Sequence, residues 1–405
     1  MLLASLSLFA LFARRAAAAA SPFVAPPAEL FSPLIAKKVL ATAEAFPSPA
    51  MYPQYTDRAE GKWIWFGPDL WTTGFFPATL YAMHARTKLC HHSSVGDGDQ
   101  WLALGRSWAT PEIPLIHNNM YIEHDVGFVS QPFRDELKVN RDNQTAISAV
   151  NGFSDDLAAR FSEIVGCTRS WDTADPTDFQ VIIDNMMNLE IFFANEALTG
   201  NHTLRDMAIS HADKTMANHV RPDGGSFHVV EYNSTTGVVI KRRTAQGYAD
   251  NSTWSRGQAW GIYGFANMYK RTQKYDYIQT ARRMADYFLD NLPDDGVVPW
   301  DFNAPLDPPR PADSSAAMIA ANGLLLLAEQ ETSIFNPVGA TRYTNAAIRL
   351  IRDNTRLAWA PTWQSLLSNG TVNNPQHNNL TGIIYGDYYF ITAGNTLVER
   401  GLASC

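Results

Sequence analysis

Apolar residues recur with a helical period along this whole chain, and the strict alternation of a half-buried strand is nearly absent. The periodic stretches predict twelve helices, near residues 30–45, 71–87, 98–109, 127–138, 143–165, 184–199, 203–219, 256–273, 276–292, 314–331, 340–356 and 386–400. Helix breakers fall between them: Pro26 and Pro27, "RPDGG" at 221–225, "LPDDG" at 292–296 and the proline-rich run ending at Asp313.

The helices are of two kinds, and the kinds alternate. "LRDMAISHADKTM" from Leu204, "YIQTARRMADYFL" from Tyr277 and "YTNAAIRLIRD" from Tyr343 carry their charges on one side and align with Ala208, Ala281 and Ala347 in one column. Their partners, such as "MMNLEIFFANEAL" and "AAMIAANGLLLLAEQ", are apolar nearly all round. An inner ring of parallel buried helices inside an outer amphipathic ring satisfies both patterns. The inner helices open with "WTTGF" at Trp71, "HDVGF" at His124, "DNMMN" at Asp184, "RGQAW" at Arg256, "DSSAA" at Asp313 and "GDYYF" at Gly386. Parallel packing brings these six polar or aromatic clusters, and six positive helix ends, to one mouth.

Composition narrows the chemistry. With 46% hydrophobic and 18% charged residues the 405-residue chain is globular, and its net charge of −8 offers no field for nucleic acid or an acidic membrane. No phosphate loop, dinucleotide fingerprint, nucleophile elbow or metal-ligand spacing occurs, so no metal, cofactor or protein partner is implied. The N-terminal "MLLASLSLFALFARRAAAAASPF" has an apolar run of signal-peptide length, although its arginines follow the run. Residues 1–27 therefore read as a signal peptide or disordered extension, residues 28–405 as one domain, and the protein as secreted, with a cytoplasmic location the alternative. Six sequons, at Asn143, Asn201, Asn233, Asn251, Asn369 and Asn379, agree with secretion. Cys90, Cys167 and Cys405 form no disulfide framework, and an odd count leaves at least one thiol free.

Two carboxylates stand out at the mouth. Paired acids near one site suit proton transfer to sugars, because one is held protonated while the other stays ionised. Asp184, between "VII" and "NMMN", is expected in apolar surroundings that raise its pKa, whereas a helix N-terminus would lower it; Asp125 is its candidate partner. Arg256 and Trp260, four apart, share a helix face suited to a carboxylate and a sugar ring. "SRGQ" predicts a capping box with Ser255 as N-cap and Gln258 at N3, and Gly257, Gly261 and Gly264 predict a close helix approach. His228 and Gln246 lie in a loop-rich segment between two helices.

"HDVGF", "IIDNMMN", "RPDGGSFHVV", "QGYADNSTWSRGQAWGIYGF", "DDGVVPWDFNAP" and "DSSAA" resemble, in order and spacing, the unsaturated glucuronyl hydrolases of glycoside hydrolase family 88, from about Trp71 to Tyr389. The resemblance implies an all-α (α/α)6 barrel of six helical hairpins. It also implies removal of a C4=C5 unsaturated uronic acid from the non-reducing end of lyase-generated oligosaccharides, by hydrating the double bond. On that resemblance Asp184 is the general acid and base and Asp125 the second catalytic aspartate. His228, Gln246, Arg256 and Trp260 hold the uronate, with Arg256 on its carboxylate and Trp71 or Trp260 for stacking. Ala245 and Tyr385 depart from the histidine and tryptophan common there. The alternatives are the sister activity on unsaturated rhamnogalacturonan fragments, which "RGQAW" disfavours, a conventional inverting glycosidase, and a non-catalytic sugar-binding barrel.

Overall fold

A computed structural model describes residues 23–91, 93–118, 122–308 and 310–405. The leader segment proposed above lies almost wholly outside the described residues. The α-helices are α1 Pro33–Glu44, α2 Phe75–Leu89, α3 Gly98–Ala109, α4 Val126–Val129, α5 Gln131–Val139, α6 Gln144–Ala159, α7 Glu190–Thr199, α8 His202–Asn218, α9 Ser255–Thr272, α10 Tyr275–Asp290, α11 Ser314–Ser333, α12 Pro337–Ala358 and α13 Ile384–Glu399. Counting α4 and α5, which Ser130 joins, as one broken helix gives the twelve that periodicity predicts.

The inner ring runs through α2, α4–α5, α7, α9, α11 and α13, and it closes where α13 packs on α2. Arg86 of α2 locks that seam: it is buried, and it donates to Ile391 O at 2.8 Å, Asn395 Oδ1 at 2.7 Å and Leu30 O at 3.0 Å. The alanine column of the repeated outer helices faces inward, with Ala208, Ala281 and Ala347 all fully buried. α11 is buried along almost its whole length, because α9, α12 and α13 all pack on it. These contacts form the six-hairpin (α/α)6 barrel.

Two expectations need correction. Strand structure is more than vestigial: β1 Tyr52–Thr56, β2 Trp63–Phe66, β3 Phe161–Ser162, β4 Cys167–Thr168, β5 Asp178–Ile182, β6 Val229–Asn233, β7 Val239–Arg243, β8 Gly370–Asn373 and β9 Asn378–Thr381 form small antiparallel ribbons. They are short and lie in connections between helices, so no long alternation marks them. The helices predicted from 71 and 184 also start late, at Phe75 and Glu190; Trp71 occupies a turn and Asp184 a 3-10 turn, Ile183–Met187. Cys90 and Cys405 are joined across 315 residues, and Cys167 is a buried free thiol, as an odd count requires.

The glycine face of α9 does what its spacing suggests. A Cβ at Gly264 would stand 2.5 Å from Met186 Cβ, so the turn carrying Asp184 rests directly on the α9 backbone. Gly264→Val is therefore expected to displace that turn, at a cost of ~1–3 kcal/mol for overpacking. Thermal unfolding and kcat measured together check it: both fall if the contact positions Asp184.

Candidate active site

The starts of the inner helices meet at one mouth, as parallel packing requires. Asp184 reaches it through sheet register. β5 runs directly into the Asp184 turn, and β5 pairs with β6 so that Ile182 faces Val229. The next bond, Ile183 N to His228 O at 3.1 Å, extends that pairing and sets His228 beside Asp184. The result is 3.8 Å between His228 Nε2 and Asp184 Oδ2. A loop position 44 residues away in sequence becomes a neighbour because two strands are in register.

His228 is fixed further by Ala245 N, which donates to its Nδ1 at 3.2 Å, and by the ring of Trp254, whose centroid is 4.4 Å away. Burial, then the charge of Arg256, holds its pKa well below the usual histidine range, so it is neutral. Because Nδ1 accepts, the proton resides on Nε2 and faces the Asp184 carboxyl. Ala245 thus contributes only its backbone here, so the side chain missing relative to the family pattern leaves His228 in place.

Asp184 settles the competition that sequence left open. Burial pushes its pKa up to about 7, against the lowering effects of Arg256, its own backbone N–H and the indole N–H of Trp260. Its side chain is 11% exposed. Asp125 sits on a second 3-10 turn, Glu123–Asp125, with Asn188 Nδ2 donating to its Oδ1 at 3.4 Å. Burial and then the Asp184 charge raise the Asp125 pKa well above the ordinary carboxyl range. The charge of Asp184 thus hinders ionisation of Asp125. Neighbouring His124 is neutral, its pKa lowered to about 3 by burial and then by Arg160.

Arg256 occupies the mouth, but its expected role needs correction. Its Nη1 donates to Asp313 Oδ2 at 2.8 Å and to Thr371 O, and its Nη2 donates to Gln246 Oε1 at 2.7 Å and Val372 O at 2.8 Å. The guanidinium lies 4.5 Å from the Trp254 ring centroid and 5.5 Å from that of Tyr385. All four terminal N–H bonds are committed, leaving no open fork for a substrate carboxylate. Asp313 also caps α11, its Oδ1 accepting from Ser315 N at 3.1 Å and Ala316 N at 3.3 Å.

The capping box is a second correction. Ser255 is the first residue of α9, and Trp254, whose side chain accepts no bond, stands at the N-cap. Gln258 points sideways: its Nε2 donates to Gly224 O at 2.8 Å and Met284 O at 2.9 Å, and its Oε1 accepts from Ser226 Oγ at 2.7 Å. The glutamine of "RGQAW" braces the barrel wall away from the mouth.

Trp260 is fully buried in the floor, against Phe128 at 5.3 Å and Tyr389 at 5.7 Å between centroids. Its face is not open for stacking, while its indole N–H has no hydrogen-bond partner within 3.5 Å among the described residues and is directed at Asp184, whose pKa it lowers. Trp71 remains half-buried, beside Tyr385 at 4.9 Å and Phe128 at 5.5 Å. Trp171, Trp254, Asn188 and Tyr385 complete the site. Of these, Trp171 had no signal in the sequence beyond its residue type, since it enters from the connection between β4 and β5 and meets His228 edge-on at 6.0 Å.

The geometry is shared with known proteins. No protein-family model matches the chain. The unsaturated glucuronyl hydrolase of Formosa agariphila is 34% identical over 332 residues, 80% of this chain and 78% of that one. That of Bacillus sp. strain GL1 is 32% identical over 363 residues, 87% and 92% of the two chains. The chain belongs to the unsaturated glucuronyl hydrolases, glycoside hydrolase family 88. Among solved structures, the unsaturated glucuronyl hydrolase of Bacillus sp. GL1 superposes with a TM-score of 0.80 at 29% identity, covering 92% of this chain and 97% of that one. An unsaturated glucuronyl hydrolase specific for heparin gives 0.81 at 28% identity, covering 93% and 97%. This family member is therefore a glycoside hydrolase whose Asp125, Asp184, His228, Gln246, Arg256, Trp260 and Trp71 form one connected cluster at the barrel mouth.

Proposed function

We propose that the protein removes a C4=C5 unsaturated hexuronic acid from the non-reducing end of lyase-generated oligosaccharides by hydrating the double bond. The observation that carries this reading is the raised pKa of Asp184, an acid that is still protonated near neutrality beside a second aspartate and a neutral histidine donor. Protonated Asp184 gives its proton to C4 and, once ionised, takes a proton from the water whose oxygen bonds to C5. The product of that addition is a hemiketal at C5. Opening of the C5–ring-oxygen bond leaves a ketone at C5 and a hemiacetal at C1, which releases the next sugar as an alcohol and C1 as an aldehyde. Atoms balance with one water consumed, and the anomeric carbon is never attacked by a nucleophile.

His228 Nε2–H, the Gln246 amide N–H groups and the Trp260 indole N–H are the donors for the uronate, and Trp71 offers the open aromatic surface. Arg256 acts at one remove: it aligns Gln246 through a 2.7 Å bond and supplies positive potential while its own donors stay committed. Asp125 orients the substrate and holds the Asp184 proton.

Incubation with unsaturated disaccharides from chondroitin, heparin, gellan and pectin, followed by ultraviolet absorbance, tests the reaction. Loss of the conjugated absorbance supports hydration; sugar release with absorbance unchanged contradicts it and indicates conventional cleavage. The pH dependence carries a definite sign. The reactive form of Asp184 is protonated, so it is populated below about 7 and lost above it. kcat is expected to fall about tenfold per pH unit on the alkaline side. A kcat profile flat through that range would remove Asp184 as the acid.

We also infer secretion into an oxidising compartment, supported by the Cys90–Cys405 bond together with the sequons and the apolar leader. Thiol titration of unfolded, unreduced protein is expected to find only the Cys167 thiol per chain.

A further inference from the structure

A cavity of about 500 Å³ opens at the other end of the barrel from the mouth. It is lined by Tyr263, Asn267, Lys270 and Arg271 of α9 and Leu326 of α11, well beyond the first turns of those helices, and by Ala194 of α7. Along α9 alone, Arg271 lies ~22 Å from Arg256 at 1.5 Å per residue. Phe128 and Tyr389 line it too, and both pack on Trp260, so a single aromatic layer separates this cavity from the mouth.

Its walls are cationic in excess. Asp135 is paired with Lys138 at 2.7 Å, Glu190 with Arg271 and Asn267, and Lys270 with Glu329 at 3.0 Å. Arg134 and Arg141 form no salt bridge among the described residues; the Arg134 charge acts on Glu190 in the same wall, and Arg134 Nε is buried without a hydrogen-bond acceptor. Arg134 does hold one fixed contact, Nη2 to Gly127 O at 2.8 Å, which sets its orientation. Tyr263, Tyr388 and Tyr389 line the same space. An unpaired guanidinium edge calls for a carboxylate, tyrosine faces suit the C–H side of a sugar, and the volume is that of a small-ligand site.

We propose that this far-end cavity binds a small sugar acid of monosaccharide size, with Arg134 and Arg141 on its carboxylate, independently of the catalytic mouth. The test is calorimetric titration of wild-type enzyme with D-glucuronate, with D-glucose and sodium sulfate as controls, alongside Arg141→Glu and Ala194→Phe. Arg141 is exposed and its replacement does not threaten folding, whereas the phenyl group of Ala194→Phe fills the cavity from its own wall. The expected result is a saturable glucuronate site weakened at least about tenfold by Arg141→Glu and removed by Ala194→Phe, with turnover at saturating substrate unchanged in both. Wild-type enzyme that shows no saturable site, glucuronate binding that is equal in all three proteins, or sulfate binding as tightly as glucuronate would each overturn the proposal.

Discussion

Asp184→Asn is expected to lower kcat by about 10⁴-fold while leaving the fold intact, because it removes a proton donor and acceptor without changing side-chain volume. The size of the effect follows from the position. Asp184 is the carboxyl whose pKa burial has brought to about 7, where one group both donates to C4 and accepts from water within a turnover. An amide at this position does neither. Asp184 Oδ2 has no hydrogen-bond partner among the described residues, so the substitution breaks no such bond of that oxygen. Thermal unfolding unchanged together with abolished loss of absorbance is the expected pair of results. Activity that survives would transfer the acid role to Asp125.

Arg256→Met is expected to be costly in a different way. Arg256 is 2% exposed and Asp313 0%, and among the described residues Asp313 Oδ2 has no other partner than this guanidinium. Removing the cation strands a buried carboxylate at the start of α11, a loss of ~3–5 kcal/mol. It also frees Gln246 and the backbone of Thr371 and Val372, so KM should rise along with the fall in stability. Adding Asp313→Asn keeps an oxygen that caps α11 and removes the stranded charge, so the double variant should recover much of the unfolding free energy. The KM defect should persist, since Gln246 stays unanchored. Denaturant unfolding and steady-state kinetics on the single and double variants check both parts; recovery of KM with stability would show that Arg256 serves the fold alone.

Much of the candidate site is legible in the sequence, for a specific reason. Each inner helix begins with a polar or aromatic cluster, and parallel helices necessarily bring such clusters together. His228 and Gln246 carried no signal of their own without the family resemblance, since neither lies on a periodic element. Their placement comes from pairing of β5 with β6 and from a single side-chain bond to Arg256. The sequence pattern misassigned Ser255 and Gln258 because "SRGQ" satisfies a local rule, while Gln258 finds better partners in Gly224 and Met284, distant in sequence.

By itself the sequence determined the helical barrel, the alternation of inner and outer helices, the mouth that collects Asp125, Asp184 and Arg256, and the presence of an unpaired thiol. These are consequences of a period of 3.6 residues and of counting. Tertiary structure alone decided that both aspartates sit on 3-10 turns, that burial outweighs the helix end at Asp184, that Arg256 is already saturated and that Trp260 is floor in place of platform. It also decided that Cys90 meets Cys405. The physical reason is one of range: helical patterning acts between residues three or four apart, whereas Arg256 is satisfied by partners 57 and 115 residues away, and no local period records which donors such contacts consume.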